Sequence, residues 1–251
     1  MTALADAFFI EAFLIFCRIG ACLMLMPAIS SGRIPMHVRL FLSLGISLGL
    51  LPLLGPRVGL SVADGGLPGL IGAIFAELLV GGMIGLFARL FLLALQTMGT
   101  AVAQSIGLAT PAGMGIEEDA MLPEVTTLFT LTGAVLLFAT GQHWAMLRAL
   151  IESYDGIPAG AGLAPVRSLS MLVDQLSLTF TVALRLSGPF LIYSIIFNFA
   201  VGITNKLVPQ IPVYFIAMPF ITAGGLLLLH STIDDILVQF MAAFTAWLQA
   251  I

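Results

Sequence analysis

Ionisable side chains inside otherwise apolar stretches are the residues of this sequence that could do chemistry. Five of them stand at such positions: Glu11, Arg18, Glu77, Arg89 and Arg185. A charge in hydrocarbon is costly unless it pairs or faces water, so such residues usually lie in a bundle interior or at a subunit contact. We predict that these five are buried charges or subunit contacts, with a plain structural ion pair as the simpler alternative.

In the apolar segment that contains Glu77 and Arg89, two glycines lie between these charges at a regular four-residue spacing. Glu77, Gly81, Gly85 and Arg89 recur every four residues and therefore form one stripe on a helix. Small residues on such a stripe allow two helix backbones to approach closely in a membrane. We predict helix packing for the glycines, and subunit contacts or an aqueous path for the two charges.

Motifs for catalysis or metal binding do not occur in the sequence. His143, Ser153 and Asp155 are near one another, but no GxSxG elbow accompanies them, and HExxH and Walker A sequences are absent. Cys17 and Cys22 are five apart on one apolar segment, where their side chains point to different faces and favour packing over a disulfide. We predict that the protein is not an enzyme and uses no cofactor and no metal.

The composition indicates a membrane protein. The 251 residues are 60% hydrophobic and only 9% are charged, against roughly 25% in an average soluble domain. Mean hydropathy is +1.13, so lipid or other apolar subunits must cover much of the surface. The net charge of −4, with Lys206 as the single lysine, excludes a nucleic-acid surface, which needs clustered cations.

Several stretches are long enough to cross a bilayer, which requires about 20 mostly apolar residues. The first runs from about Ala7 to Ile29 and is too long for a removed signal peptide, so we predict a retained first helix. A second run, Leu40 to Leu54, is predicted to end at Pro52 and Gly55-Pro56, before a Gly/Pro-rich loop over residues 55–68.

Two apolar segments are too long for a single crossing. Residues 69–109 contain no proline, and one straight helix of that length would measure about 60 Å, twice the bilayer core. We predict that this segment either breaks, with Gly99 as the place of the break, or projects beyond the membrane. The second long segment, Leu169 to Asn205, contains Gly188-Pro189, where we expect a bend because proline removes a backbone donor.

Shorter segments complete the chain. A single apolar segment is predicted over Val125 to Ala145, followed by the loop SYDGIPAGAGLAPVR. Lys206 to Pro212 form a turn, Val213 to His230 are apolar, and an amphipathic tail ending near Trp247 is predicted to lie at an interface. The fold class is therefore all-α: an integral membrane-type chain of helical hairpins and broken long helices, with no soluble domain and one unit over residues 1–251.

A bendable apolar segment separates the third and fourth stretches. The glycines and the proline of this segment allow it to bend, and the other residues named below are apolar. A loop of this kind would fill the lumen of a channel, and a plain connector between helices is the alternative. The residues concerned are Ile106, Gly107, Leu108, Pro111, Gly113, Met114, Gly115, Ile116, Met121 and Leu122. The consecutive Glu117, Glu118 and Asp119 within it are predicted to form a solvated acidic loop, because a metal cage would need further ligands.

The order of local sequences resembles the FliR family along nearly the whole chain. The opening, CRIGACLMLMPAISSGRIPMHVRLFLSLGISLGLLP, is similar through Arg18, Gly20, Ala21, Pro27, Ile34, Pro35 and Arg39. ELLVGGMIGLFARL and QSIGL follow, with Glu77, Gly81, Gly85, Gln104, Gly107 and Leu108. GITNKLVPQIPVYFIAMPFITAGGLLLL completes the match, with Gly202, Pro209, Gln210, Phe215, Pro219 and Gly224. The acidic segment and Asn205-Lys206 depart from the family pattern.

The resemblance implies a subunit of the flagellar type III protein export gate. Proteins of that family assemble with FliP-like and FliQ-like subunits and contact an FlhB-like protein, and unfolded flagellar proteins pass through the pore. The expected location is the bacterial inner (cytoplasmic) membrane, at the flagellar basal body, with membrane lipid around the assembly. By this resemblance the segment Ile106 to Leu122 is the loop that closes the pore.

Two other functions stay open on the sequence. An injectisome export gate, which exports virulence effectors, shares this architecture, although the run Gln104 to Leu108 looks more like flagellar members. A secondary transporter would also have broken helices and scattered charges, but the two halves show no obvious inverted repeat. Copurification with FliP-like and FliQ-like proteins discriminates a gate subunit from a solute transporter.

Overall fold

The protein is all-α in the part of the chain that the structure describes. The computed structural model describes residues 2–27, 29–30, 34–62, 66–108, 122–161 and 165–249. These ranges form α1 (Thr2–Leu25), α2 (Met36–Val62), α3 (Gly66–Ser105), α4 (Glu124–Ala139), α5 (Gln142–Gly156), α6 (Pro165–Leu207) and α7 (Val213–Leu248). Five of the helices are long and apolar enough to cross a membrane, or six if α4 and α5 count as one broken span. The predicted fold class is confirmed.

The helices form two compact units, each with its own core. Unit 1 comprises Met1–Phe91, Phe138–Leu176 and Ala246–Ile251, and unit 2 comprises Leu92–Leu137 and Ser177–Thr245. Within unit 1, α1 packs against α2, and fully buried apolar residues include Leu14, Ile19, Leu54 and Phe91. In unit 2, the largest fully buried residues are aromatic: Phe129, Phe190, Phe240 and Phe244.

Helix α2 continues through two prolines where the sequence predicts a loop. The prediction of an end near Leu54 is wrong, because α2 extends to Val62 and contains Pro52 and Pro56. An interior proline costs about 3 kcal/mol in a water-exposed helix, but packing against a neighbouring helix in a membrane compensates for the lost backbone bonds. Leu54 and Val58 are fully buried on this helix, so burial keeps the last two turns helical.

Helix α3 is one continuous helix of 40 residues, and the predicted break near Gly99 is wrong. A glycine in a helix interior costs only about 1 kcal/mol relative to alanine, which is too little to interrupt a well-packed helix. Gly99 instead provides a close helix contact: a Cβ at this position would lie 2.9 Å from the Cα of Thr126 in α4. The glycine marks a place where two helices meet within unit 2.

The fourth apolar segment is bent, although the sequence predicts one stretch from Val125 to Ala145. Helix α4 ends at Ala139, α5 begins at Gln142, and the two differ in direction by 68°. Gly141 between them has φ +73, a left-handed conformation that glycine adopts without steric cost. Helix α5 then continues to Gly156, so it includes the first residues of the segment predicted as a loop.

Helices α6 and α7 are both longer than a bilayer core. Helix α6 has 43 residues and continues through Pro189; the expected bend there stays a prediction. Helix α7 has 36 residues, so the stretch predicted as an amphipathic tail continues the same helix, and its position at an interface stays a prediction. Three buried residues, Ile236, Phe240 and Phe244, follow at a spacing of four, and this stripe continues the helix beyond the aspartates.

Candidate functional sites: a buried charge centre and the ends of a loop

The glycine stripe of α3 brings α1 close enough for their charged side chains to meet. A Cβ on Gly81 would lie 2.9 Å from the Cα of Arg18, and one on Gly85 would lie 3.1 Å from the Cα of Cys22. Only glycine permits this approach, because any side chain would overlap the backbone of α1. Glu77, one turn before Gly81, is consequently placed beside Arg18.

Arg18 and Glu77 form a fully buried, two-point ion pair. The Nε of Arg18 donates to Oε2 of Glu77 over 2.7 Å, and Nη2 donates to Oε1 over 2.9 Å. Both side chains are 0% exposed. The planar guanidinium matches the two carboxylate oxygens, which is the strongest geometry for such a pair.

The remaining polar atoms of the pair are satisfied by α5 and the residues that follow it. The hydroxyl of Tyr154 donates to Glu77 over 3.3 Å, and the backbone N–H of Gly160 donates to the same carboxylate over 3.1 Å. Arg18 donates to the Ser153 hydroxyl and to the Ile157 carbonyl, each over 3.1 Å. The guanidinium carbon also lies 3.7 Å from the centre of the Tyr154 ring, a cation–π contact.

These six residues are named the charge centre here: Arg18, Glu77, Ser153, Tyr154, Ile157 and Gly160. All of them belong to unit 1. A buried pair of this kind is tolerated only when every donor and acceptor is bonded, and the residues after Leu150 supply the missing bonds. The charge centre therefore fixes residues 153–160 against α1 and α3.

The structure does not bring all the predicted charges together. Glu11 is half-buried, and its carboxylate lies against Gly55 and Gly59 of α2. Arg89 and Arg185 are exposed, and no hydrogen bond or ion pair was found for either one among the described residues. The predicted set therefore separates into the internal pair, the half-buried Glu11 and the two exposed arginines.

Two residues considered for nucleophilic chemistry have structural partners instead. The Ser153 hydroxyl donates to the Leu150 carbonyl over 2.6 Å and accepts from Arg18. Asp155 pairs with Arg57 over 2.8 Å at the surface. In the described ranges, no group of three or more potential ligands could hold a metal ion.

Sequence reasoning missed Tyr154, Ile157 and Gly160, since none of them belongs to a motif. Two of the three contribute a backbone group, which leaves no trace in residue type. One indirect signal exists: two opposite charges in apolar segments need neutral donors and acceptors around them, and the polar stretch after Leu150 supplies such groups.

The QSIGL sequence ends α3 with a specific hydrogen-bond pattern. Gly107 has φ +76, its N–H donates to the Gln104 carbonyl over 3.3 Å, and the N–H of Leu108 donates to the Ala103 carbonyl over 2.8 Å. These two bonds form a Schellman motif, in which a left-handed glycine ends the helix and satisfies its last carbonyls. The direction of the chain leaving α3 is thereby fixed.

The side chain of Ile106, the residue before that glycine, packs into a notch on α7. Its side chain is 0% exposed and occupies the space that a Cβ on Gly225 would need. The hydroxyl of Tyr193 in α6 lies over the adjacent Gly224 and donates to the Ile221 carbonyl over 2.7 Å. We name this contact the front seat, defined by Ile106, Tyr193, Gly224 and Gly225.

A second contact holds the other end of the loop segment. Helix α4 begins at Glu124, and Thr126 packs against Gly99 of α3, with its hydroxyl 3.3 Å from that of Thr100. We name Gly99, Thr100 and Thr126 the rear seat.

Among the predicted loop residues, the structure describes Ile106, Gly107, Leu108 and Leu122. The others lie outside the described residues: Pro111, Gly113, Met114, Gly115, Ile116 and Met121.

Comparison with known proteins decides the family. Residues 9–247 match the family described as bacterial export proteins, family 1. The chain belongs to this family. It is 31% identical to the flagellar biosynthetic protein FliR of Caulobacter vibrioides over 94% of each chain, and 25% identical to FliR of Aquifex aeolicus over 90% of this chain and 86% of that one. It is also 26% identical to the Yop proteins translocation protein T of Yersinia pestis, over 61% of this chain and 59% of that one.

The matched range of this export-family chain contains both sites described above. Arg18 and Glu77 of the charge centre lie within residues 9–247, as do the front seat and the rear seat. The predicted resemblance to the FliR family is confirmed.

Proposed function

We propose that this chain is the FliR-type subunit of a flagellar type III protein export gate. The observation that carries the proposal is the family match over residues 9–247, together with 31% identity to a FliR over 94% of both chains. The geometry agrees with a structural role, because the charge centre uses its polar groups to bond one another and not to hold a substrate.

Uncovered helix surface supports a place among other subunits. Only 17% of the candidate spans in α6 and α7 is buried, against 50% in α3. Their exposed side chains are large and apolar, as at Ile195, Phe199, Phe215 and Leu227. Surface of this kind requires lipid or another apolar protein as its neighbour.

Exposed charges on the same helices favour protein over lipid for part of that surface. Arg185 on α6 and Asp234 and Asp235 on α7 are exposed, and the described chain gives none of them an ion-pair partner. In hydrocarbon such charges cost several kcal/mol, about 2.5 to 3.5 on insertion scales. Opposite charges or polar groups on FliP-like and FliQ-like subunits would remove that cost.

The further parts of the proposal follow from the same assembly. An FlhB-like protein contacts the gate, and unfolded flagellar proteins pass through it in transit. The gate lies in the bacterial inner (cytoplasmic) membrane at the flagellar basal body. Within it, the segment Ile106 to Leu122 closes the pore when no substrate is present.

Purification of the assembled gate tests the proposal. A tagged chain expressed at its native level is extracted in mild detergent, and its bound proteins are identified by mass spectrometry. FliP-like and FliQ-like proteins are expected in fixed ratios, and deletion of the gene is expected to abolish flagellin export. Normal flagellin export without the chain would overturn the proposal.

An injectisome gate is the second candidate, supported by the Yersinia relative that aligns with 61% of this chain. The two candidates differ in cargo. If the deletion strain stays motile but stops secreting effector proteins, the injectisome function replaces the flagellar one.

A further inference from the structure

Helix α5 has two faces of opposite character. Its buried face is made of four residues that pack inside unit 1: Met146, Ala149, Leu150 and Tyr154. The exposed residues recur at intervals of four, four and three and so form one stripe on the other face: Trp144, Arg148, Glu152 and Asp155. One side of α5 therefore belongs to the core of unit 1, and the other side meets the surroundings of the chain.

The exposed stripe does not fit the hydrocarbon core of a bilayer. Three of its four residues are ionisable, and a charge that faces hydrocarbon is strongly unfavourable. The 15 residues of α5 measure only about 22 Å, which is shorter than the hydrocarbon core of about 30 Å. The axis of α5 also differs from that of α4 by 68°. Helix α5 is therefore not the second half of a membrane span.

The charges of the stripe already have partners within the chain. Arg148 and Glu152 pair with each other over 3.5 Å, and Asp155 pairs with Arg57 of α2 over 2.8 Å. Arg185 of α6 differs, because no partner was found for it among the described residues. A stripe with balanced charges requires no opposite charge from a second protein, and exposed pairs of this kind are compatible with a layer of water and lipid headgroups.

An aromatic cluster lies at the first turn of α5. The ring of His143 stacks on that of Phe138, with the centroids 5.1 Å apart, and its centroid lies 5.6 Å from that of Trp144. Trp144 is nevertheless 69% exposed. Tryptophan is enriched at the boundary between membrane and water, where the ring contacts apolar chains and the indole N–H finds a polar partner. The cluster therefore holds an exposed tryptophan beside the turn at Gly141.

We propose that α5 lies along the membrane surface: its exposed stripe contacts the lipid headgroup layer, and its buried face covers the charge centre. The proposal goes beyond the export function, because it requires only that the chain lies in a membrane. Tyr154 on the buried face bonds to Glu77, so the ion pair lies about 10 Å, one helix diameter, beneath the headgroup layer. The position of α5 thereby sets the depth of Arg18 and Glu77 in the bilayer.

Tryptophan fluorescence tests this position, because the chain has only two tryptophans. Trp247→Phe leaves Trp144 as the single reporter in the full-length chain, which is reconstituted in vesicles of phosphatidylcholine and phosphatidylglycerol. A nitroxide at the lipid headgroup is expected to remove most of the Trp144 emission, and a nitroxide in the middle of the acyl chain is expected to remove little. Stronger quenching by the acyl-chain label, or no quenching by either label, would overturn the proposal.

Trp144→Phe is the matched control for the fluorescence measurement. It leaves only Trp247, which is 7% exposed and packs against Phe91. With the headgroup label, the emission of this variant should decrease less than that of Trp247→Phe. An equal decrease in the two variants would contradict the surface position of Trp144.

Thiol labelling of the assembled gate keeps the test decisive if a tryptophan variant fails to fold. In membranes opened by freezing and thawing, Arg148→Cys is expected to react with a charged, membrane-impermeant thiol reagent. Met146→Cys, on the buried face, is the matched control and should stay unreactive, as should the native Cys17 and Cys22, which are buried. Protection of Arg148→Cys would indicate that a partner subunit covers α5 and would overturn the lipid contact.

Flagellin export by the same strains separates this inference from the proposed function. Normal export with a protected Arg148→Cys would refute the surface position of α5 alone. A reactive Arg148→Cys, in a strain whose flagellin export does not depend on the chain, would refute the export function and support the surface position.

Discussion

Charged residues have opposite environments in the charge centre and on the exposed surface of α6 and α7. Arg18 and Glu77 are fully buried, and they are bonded to each other and to residues 153–160. Arg185, Asp234 and Asp235 are exposed on long apolar helices. The buried pair is satisfied inside the chain, whereas the exposed charges are satisfied by water, a lipid headgroup or a second protein.

Removing one member of the buried pair is expected to have the largest effect among the variants that test this difference. Glu77→Ala leaves the guanidinium of Arg18 buried without its counter-charge, which costs about 3 to 5 kcal/mol. We expect a much lower unfolding temperature in detergent and poor recovery of the assembled gate, while any complexes that do form export normally.

A double replacement is the control for that variant. Arg18→Met with Glu77→Leu removes both charges and fills similar volume, and such exchanges are often neutral or stabilising. Recovery is expected to exceed that of Glu77→Ala but to stay below the wild-type level, because the Gly160 N–H and the Ile157 carbonyl lose their partners. Full recovery of Glu77→Ala itself from detergent extracts would contradict the structural role of the pair.

Arg185→Gln tests the outward charges. This variant should leave the thermal unfolding of the isolated chain unchanged, because no partner for Arg185 was found within the described residues. Loss of one member of a buried interface pair costs about 2 kcal/mol or more, so recovery of FliP-like and FliQ-like proteins should fall. A stability loss in the isolated chain with normal copurification would reverse the assignment.

Tyr154→Phe is expected to have a smaller effect on the charge centre. The change removes one hydrogen bond to Glu77 and keeps the ring over Arg18. A typical hydrogen bond contributes about 1 kcal/mol, so a modest decrease in unfolding temperature is expected. Tyr154→Leu, which also removes the cation–π contact, should be worse; equal stability of the two variants would show that the ring contact contributes nothing.

Arg148→Gln should have the smallest effect. Arg148 and Glu152 form an exposed pair on α5 over 3.5 Å, with side chains 80% and 67% exposed. Exposed pairs at this spacing contribute about 0.3 to 0.5 kcal/mol. No change is expected in unfolding temperature or copurification, and a loss comparable to that of Glu77→Ala would show that exposure does not separate the two kinds of charge.

The all-α fold and the two residues of the buried pair can be predicted from the sequence, because both depend on local composition. Charges in apolar runs must find partners, so Arg18 and Glu77 stand out, and the four-residue glycine stripe predicts close helix packing. Their position beside Tyr154 depends on contacts between segments that are distant in the sequence. No local sequence pattern encodes such contacts.

The errors concern helix ends, and each has a physical cause. Pro52 and Pro56 predict an end to α2, but tertiary burial of Leu54 and Val58 outweighs the local cost. Gly99 predicts a break and instead provides a helix contact. Gly141 allows the bend between α4 and α5, but nothing in the neighbouring sequence distinguishes this glycine from those inside helices.

The separation of Arg18 and Glu77 along the chain has a consequence for biosynthesis. The two residues are 59 positions apart, so at about 5 to 20 residues per second the ribosome needs roughly 3 to 12 seconds to add the second after the first. During that time α1 carries an arginine without its carboxylate, at an insertion cost of about 2.5 to 3.5 kcal/mol. Apolar neighbours such as Leu14, Ile15 and Ile19 offset this cost by about 0.3 to 0.6 kcal/mol each. The pair can form only after α3 has been synthesised, and its hydrogen bonds are complete only once Gly160 has been added to the chain.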